Sequence, residues 1–265
     1  MAVSVGELSG AWNFRDVAEA TGVRPGRFFR SSELSRLSEE GGRRLVELGI
    51  TDVADLRSPP EVERRGAGKV PNGVAIHLLP FPDVSAVDDE APHEATFQKM
   101  MRETPDGEDV AVAAGRFMTQ EYQRFPTLGG AQRAVRQVIS LLADERPMIA
   151  HCFAGKDRTG FTVATVLEAI GIPRDAILED FLRSNDAVPQ LRARILESVR
   201  DRSETPEVVT FAEARLTDEV LGVREDYLDA GHRSIAQNYG SLRGYLEAAA
   251  VRPEDIARVR TALLG

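Results

Sequence analysis

Little in this chain points to metal, redox or nucleic-acid chemistry. Its 265 residues include one cysteine, Cys152. A single cysteine excludes an intrachain disulfide and any multi-cysteine zinc site. The four histidines (His77, His93, His151 and His232) are scattered, with no HExxH pair among them. No metal and no cofactor is therefore expected. Positive charge is also short: 33 basic residues face 42 acidic ones, a net charge of −9. Nucleic-acid binders carry a basic face, so nucleic acid is not an expected partner, and adhesion to anionic membrane surfaces is disfavoured on the same ground. No apolar run reaches the roughly 18 residues of a membrane span. Met1–Gly10 lacks the basic region and apolar run of a cleavable signal peptide. No internal repeat or low-complexity tract is present.

What is present suits a globular enzyme. Hydrophobic residues make up 42% and charged residues 28%, enough for a core and a solvated surface. Four short apolar runs read as strands: Phe28-Phe29 after Pro25-Gly26, Val53–Leu56 before Pro59-Pro60, Ala75–Leu79 before Pro80, and Pro147–His151. A helical pattern, Leu34 to Leu48, separates the first two. Strands alternating with helices predict an α/β fold with a mostly parallel central sheet flanked by helices, in one domain over 1–265. Residues 85 to about 115 are acidic and turn-rich, and read as an excursion from the sheet. Helices are expected over Val112–Phe125, Gly130–Ala143 and Phe161–Ile170, and again from Pro189 onward. Apolar stripes there run Leu191-Ile195-Val199, Val208-Ala212-Leu216 and Ile256-Val259-Leu263.

The informative segment is His151-Cys152-Phe153-Ala154-Gly155-Lys156-Asp157-Arg158-Thr159-Gly160. A strand, a tight loop and a helix start converge backbone N–H groups on one point, which makes an anion cradle. Phe153, Ala154, Gly155, Lys156, Asp157, Arg158 and Thr159 would bind phosphate there. Cys152 would aim its sulfur into that cradle, where amides and helix dipole favour the nucleophilic thiolate. Arg158 can grip two phosphoryl oxygens side by side with its planar fork. Thr159 can donate a hydroxyl to the departing sulfur. Asp83, at the end of Pro80-Phe81-Pro82-Asp83, is the preferred general acid. Asp157 is its rival, as acid, auxiliary base or structural ion-pair partner; Asp88, Asp89 and Glu90 are further candidates for the acid, though such a charge cluster also reads as a solvated face. His151 either tunes the thiolate by hydrogen bonding or is a satisfied core histidine. Lys156 either supplies a cation for a second phosphate or is a solvated loop lysine. Arg15-Asp16 and Asp55-Leu56-Arg57, at strand ends, read either as bracing ion pairs for the cradle, the favoured reading, or as simple loop caps. The pairs Arg43-Arg44 and Arg64-Arg65 read as solvent-facing.

The loop matches the C-x5-R-[S/T] signature of the protein tyrosine phosphatase superfamily. With Trp12–Asp16, Phe28–Leu34, Asp52–Ser58, His77–Asp83, Leu182–Ile195 and Tyr239–Leu242, the chain resembles the secreted mycobacterial tyrosine phosphatases of that superfamily along its whole length. The resemblance implies a tyrosine/dual-specificity phosphatase-like fold, Asp83 as general acid, and a C-terminal helical lid over about residues 187–220. It also implies phosphotyrosine proteins as substrates, phosphoinositides and phosphoserine or phosphothreonine as further ones, and secretion into a host cell. It leaves the oligomeric state open. Two other readings stand beside it: a phosphoinositide phosphatase, and a phosphate-binding pseudoenzyme, which an intact Cys152, Arg158 and Thr159 argue against. A reductase or sulfurtransferase fares worse, since one cysteine cannot relay a disulfide.

Overall fold

A computed structural model describes residues 7–81, 109–202 and 206–265. All four apolar runs form strands: β2 (Phe28–Ser31), β3 (Asp52–Asp55), β4 (Ala75–Leu78) and β5 (Met148–His151) join a short β1 (Arg15–Asp16). The sheet order is β1-β2-β5-β3-β4, with only β1 antiparallel to its neighbour. The expected mostly parallel α/β architecture is what forms. Central strands β2, β3 and β5 are buried along their full length, as strands covered on both faces must be. Edge strand β4 instead leaves Ile76 and Leu78 exposed.

Side-chain alternation divides the core. Phe29, Ile149 and Val53 lie in register on one face and pack with Leu34, Leu37, Leu45 and Ile50. Phe28, Met148, Ala150 and Ala54 face the larger cluster on the other side. Helices follow in chain order. In the first half these are α1 (Ala18–Thr21), α2 (Glu39–Glu47), α3 (Pro59–Arg65), α4 (Val110–Arg124) and α5 (Gly129–Ala143). Then come α6 (Asp157–Ala169), α7 (Arg174–Leu182), α8 (Val188–Arg202) and α9 (Pro206–Arg215). The chain ends with α10 (Asp218–Leu221), α11 (Glu225–Tyr239), α12 (Leu242–Ala248) and α13 (Pro253–Leu264).

Several boundaries differ from expectation for local reasons. The helix read over Leu34–Leu48 begins only at Glu39, because the Ser38 side chain caps it by accepting from the Gly41 amide. The excursion read over 85–115 ends early: Asp109 accepts from the Ala111 and Val112 amides and starts α4 at Val110. Residues 85–108 lie outside the described residues. Helix α6 starts at Asp157 rather than Phe161, which puts Arg158 and Thr159 in its first turn. Val208, read as part of an apolar stripe, is exposed, while Ala212 and Leu216 are buried as expected.

Candidate active site

Strand β5 lies in the middle of the sheet, and the chain leaves its carboxyl end directly into Cys152, where parallel α/β sheets bind ligands. Cys152 is a free thiol, 3% exposed. The chain then turns over four residues into α6. Gly155 makes the turn with φ at +68°, and a Cβ there would stand 2.1 Å from the Ser31 carbonyl oxygen, so only glycine fits. Among the described residues, the amides of Phe153 through Asp157 donate to no backbone carbonyl. The Phe153 carbonyl accepts from the Glu33 amide at 3.0 Å. A row of such amides at a helix start is a candidate anion cradle.

Arg158 is held by a clamp that the sequence reading missed. Its Nη1 and Nη2 each donate to one oxygen of Glu61 at 2.7 Å, and Nη1 also donates to the Leu56 carbonyl at 3.2 Å. Glu61 is fixed in turn by a capping box at the start of α3, where it accepts from the Ser58 amide at 2.7 Å. The signal was visible as Ser58-Pro59-Pro60-Glu61, a helix start with prolines in its first turn. That signal marks a helix end; nothing in it names the arginine almost a hundred residues away. Thr159 is buried, and its hydroxyl has no hydrogen-bond partner among the described residues.

His151 is fully buried. Its Nδ1 lies 3.1 Å from the Cys152 carbonyl, which can only accept, so Nδ1 carries the proton. Nε2 has no hydrogen-bond partner among the described residues and lies 3.7 Å from Asp55. Burial, with help from Arg57, pushes the ring below the ordinary histidine value of 6.5 against the pull of Asp55. The sign of the consequence is fixed. Below about pH 6.5 the unfolded chain binds a proton that the folded ring refuses, so stability falls as pH falls. Buried carboxylates whose values are lowered contribute only at more acid pH. The melting temperature should therefore drop more between pH 7 and 5.5 in the wild type than in His151→Asn; equal slopes would remove His151 from the account.

Lys156 and Asp157 are less exposed than a solvated loop requires. The Lys156 ammonium, on a side chain 6% exposed, donates to the Val220 and Gly222 carbonyls at 2.9 and 3.0 Å and to Asp157 at 3.1 Å. Asp157 also accepts from the buried Tyr122 hydroxyl at 3.1 Å. Burial first, and Asp157 second, push the Tyr122 phenol well above its ordinary value, so it stays a donor. Asp83, Asp88, Asp89 and Glu90 lie outside the described residues. Arg57 forms buried ion pairs, Nη2 with Asp55 at 2.7 Å and Nη1 with Glu33 at 3.2 Å, whereas Asp16 caps its own turn by accepting from the Ala18 and Gly26 amides. Of the two basic pairs, Arg43 and Arg64 are exposed. Arg65 corrects the solvent-facing reading: it binds buried Glu33 at 2.9 Å and its guanidinium stacks 3.8 Å over the Phe153 ring.

Of the candidate lid helices, α8 reaches residues that flank this loop. Arg194 of α8 reaches Glu33 at 3.4 Å, with its guanidinium 5.7 Å from the Trp12 ring, and Trp12 meets Phe153 edge-on at 6.0 Å. Leu191 and Leu196 face inward. No helix among the described residues is long and apolar enough to cross a membrane, and among them no cluster of side chains could hold a metal ion.

Known proteins share this whole arrangement of sequence. A model of the tyrosine phosphatase family matches residues 6–265. The triple specificity protein phosphatase PtpB of Mycobacterium tuberculosis is 56% identical over 99% of this chain and 100% of its own length. A Cupriavidus necator protein with a provisional tyrosine-protein phosphatase name is 30% identical over 96% of this chain and 85% of its own. A tyrosine-protein phosphatase of Nostoc commune is 24% identical over 92% and 76%.

Proposed function

This chain belongs to the tyrosine phosphatase family and is a protein tyrosine phosphatase; on that premise we propose that it works without metal, through a cysteinyl-phosphate on Cys152. The observation that carries the proposal is the row of unspent amides between Cys152 and an arginine clamped by Glu61. The Cys152 thiolate attacks phosphorus in line, the S–P bond forms, and the P–O bond to the phenolate breaks. Amides of residues 153–159 and the Arg158 fork take up the charge of the phosphoryl oxygens. A carboxylic acid protonates the leaving phenolate. The resulting carboxylate then takes a proton from water as its oxygen attacks phosphorus and the sulfur leaves, with the Thr159 hydroxyl as its donor.

Asp83 is proposed as that acid. Asp157 already accepts from Tyr122 and Lys156, which suits a positioning role in the loop. The test compares Asp83→Asn with Asp157→Asn on aryl phosphates of graded leaving group. Asp83→Asn is expected to lower kcat about 10²–10³-fold for poor leaving groups and much less for nitrophenol. Asp157→Asn is expected to change it less than about tenfold. The reverse pattern reassigns the acid to Asp157.

Phosphotyrosine proteins are the proposed leading substrates. Phosphoinositides and phosphoserine or phosphothreonine follow as further substrates, supported by the 56% identical relative named for triple specificity. A second phosphate would draw on Lys156 only after its ammonium leaves three oxygen partners. Metal-free phosphate release from a phosphotyrosine peptide and a phosphoinositide panel measures the order of preference. Helices α8 and α9 are proposed as a lid, which the near-complete burial of Cys152 supports.

A further inference from the structure

Three consecutive carbonyls of the candidate phosphate loop are held from behind by one assembly, and its centre is a carboxylate outside the loop. Asp180, on α7, has a side chain 2% exposed. Its Oδ1 accepts from Arg15 Nε at 2.8 Å and its Oδ2 from Arg30 Nη1 at 2.5 Å. Ser184 adds its hydroxyl to both arginines. From this centre two arms reach the loop. Arg15 Nη1 donates to Asn13 Oδ1 at 2.5 Å. Asn13 Nδ2 then donates to the Ala154 and Gly155 carbonyls at 3.0 and 3.1 Å. Along the second arm, Arg30 Nη2 donates to the Gly155 carbonyl at 2.8 Å and to that of Lys156 at 3.4 Å.

The donor logic fixes the orientation of Asn13. An arginine only donates, so the amide oxygen must face Arg15 and the amide nitrogen must face the loop. A planar trans peptide points its C=O and the following N–H in opposite directions. Pinning the carbonyls of Ala154, Gly155 and Lys156 outward therefore turns the N–H groups of Gly155, Lys156 and Asp157 inward. The Phe153 carbonyl, held by the Glu33 amide, does the same for Ala154. Burial alone would raise Asp180, yet the two arginines outweigh it and hold the carboxyl below its ordinary value, so the centre stays ionised.

We infer that Asn13, Arg15, Arg30 and Asp180 are a brace that sets the polarity of the phosphate loop, with Asn13 a positioning residue for oxyanion binding. The inference rests on the reading of residues 152–158 as the phosphate site. Asn13 touches no reacting atom; it acts through two carbonyls. Its φ of +55° is a left-handed conformation that Asn, Asp and Gly tolerate, which makes a clean series possible. Asn13→Asp keeps the shape and the Arg15 contact but sets a carboxylate oxygen against two carbonyl oxygens. Asn13→Gly keeps the backbone and removes the arm.

The experiment follows alkylation of Cys152 by iodoacetamide in the full chain, with inorganic phosphate as protectant, beside turnover and melting temperature. Wild type should be protected by phosphate. The concentration of phosphate giving half protection should rise about tenfold in Asn13→Gly and more in Asn13→Asp, with kcat/KM falling about 10²-fold in the latter, the scale of one lost oxyanion donor. Alkylation without phosphate should stay at the wild-type rate or slow, since the same amides favour the thiolate, whereas a general loosening of the site would speed it by exposing the sulfur. Should Asn13→Asp fail to fold, Asn13→Gly alone decides. Wild-type protection in a folded variant overturns the brace. A wild type that phosphate does not protect and that releases no phosphate overturns the underlying site instead.

Discussion

Cys152→Ser is expected to lower kcat on a phosphotyrosine peptide by at least about four orders of magnitude, the scale seen when a nucleophile is removed from a preorganised site. A serine hydroxyl needs a base to become a nucleophile, and the obvious base is turned away. His151 spends its Nδ1 proton on the Cys152 carbonyl and directs Nε2 toward Asp55. Phosphate binding should survive, because the proposed cradle draws on backbone amides and Arg158 rather than on the sulfur. The measurement is burst kinetics with acid-trapped phosphoenzyme, run alongside phosphate affinity. Wild type should trap a phosphorylated chain at Cys152, and the serine variant should bind phosphate within a few-fold of wild type while trapping none. Residual turnover within tenfold of wild type would rule out the cysteinyl-phosphate.

The contrast between what was legible in the chain and what was not follows from sequence distance. Strands β2, β3 and β5 were readable from short apolar cores, Phe28-Phe29, Val53-Ala54 and Met148-Ile149-Ala150, bounded by turn signals. The candidate loop stood out because the residues it proposes are contiguous: Cys152, Gly155, Arg158 and Thr159 lie within eight residues that run into a helix start at Asp157. Its supports were not. Glu61, Asp180, Asn13 and Arg30 reach the loop from α3, α7 and the segments around β1 and β2, joined only by the parallel topology. No local pattern announces a contact of that span. Lys156 shows the same limit from the other side. Read along the chain it is either a cation for a second phosphate or a solvated loop lysine; folded, it is buried against the carbonyls of Val220 and Gly222. A charged residue in such a loop can be committed to holding it or be open to a substrate, and only geometry separates the two.

Arg158 supplies the second large effect, and a charge-preserving substitution isolates its cause. Arg158→Lys should lower kcat/KM by about 10³–10⁵-fold, the range in which an arginine serving a transferring phosphoryl group is valued. Net charge stays constant, so electrostatic attraction at long range is unchanged. What is lost is the planar fork. Glu61 takes both Arg158 terminal nitrogens at 2.7 Å, which fixes the plane of the guanidinium. A lysine ammonium is a point donor on a flexible stem and cannot meet both Glu61 oxygens in that plane while presenting a second edge to phosphate. With the Glu61 side chain 2% exposed, the ammonium is also drawn to that carboxylate and away from the cradle, because an unpaired buried charge costs about 3–5 kcal/mol. The loss should therefore appear in phosphate affinity and in kcat together, and Glu61→Gln should reproduce part of it with Arg158 intact. Activity of Arg158→Lys within tenfold of wild type would show that charge alone suffices, and that the Glu61 clamp serves the fold rather than the reaction.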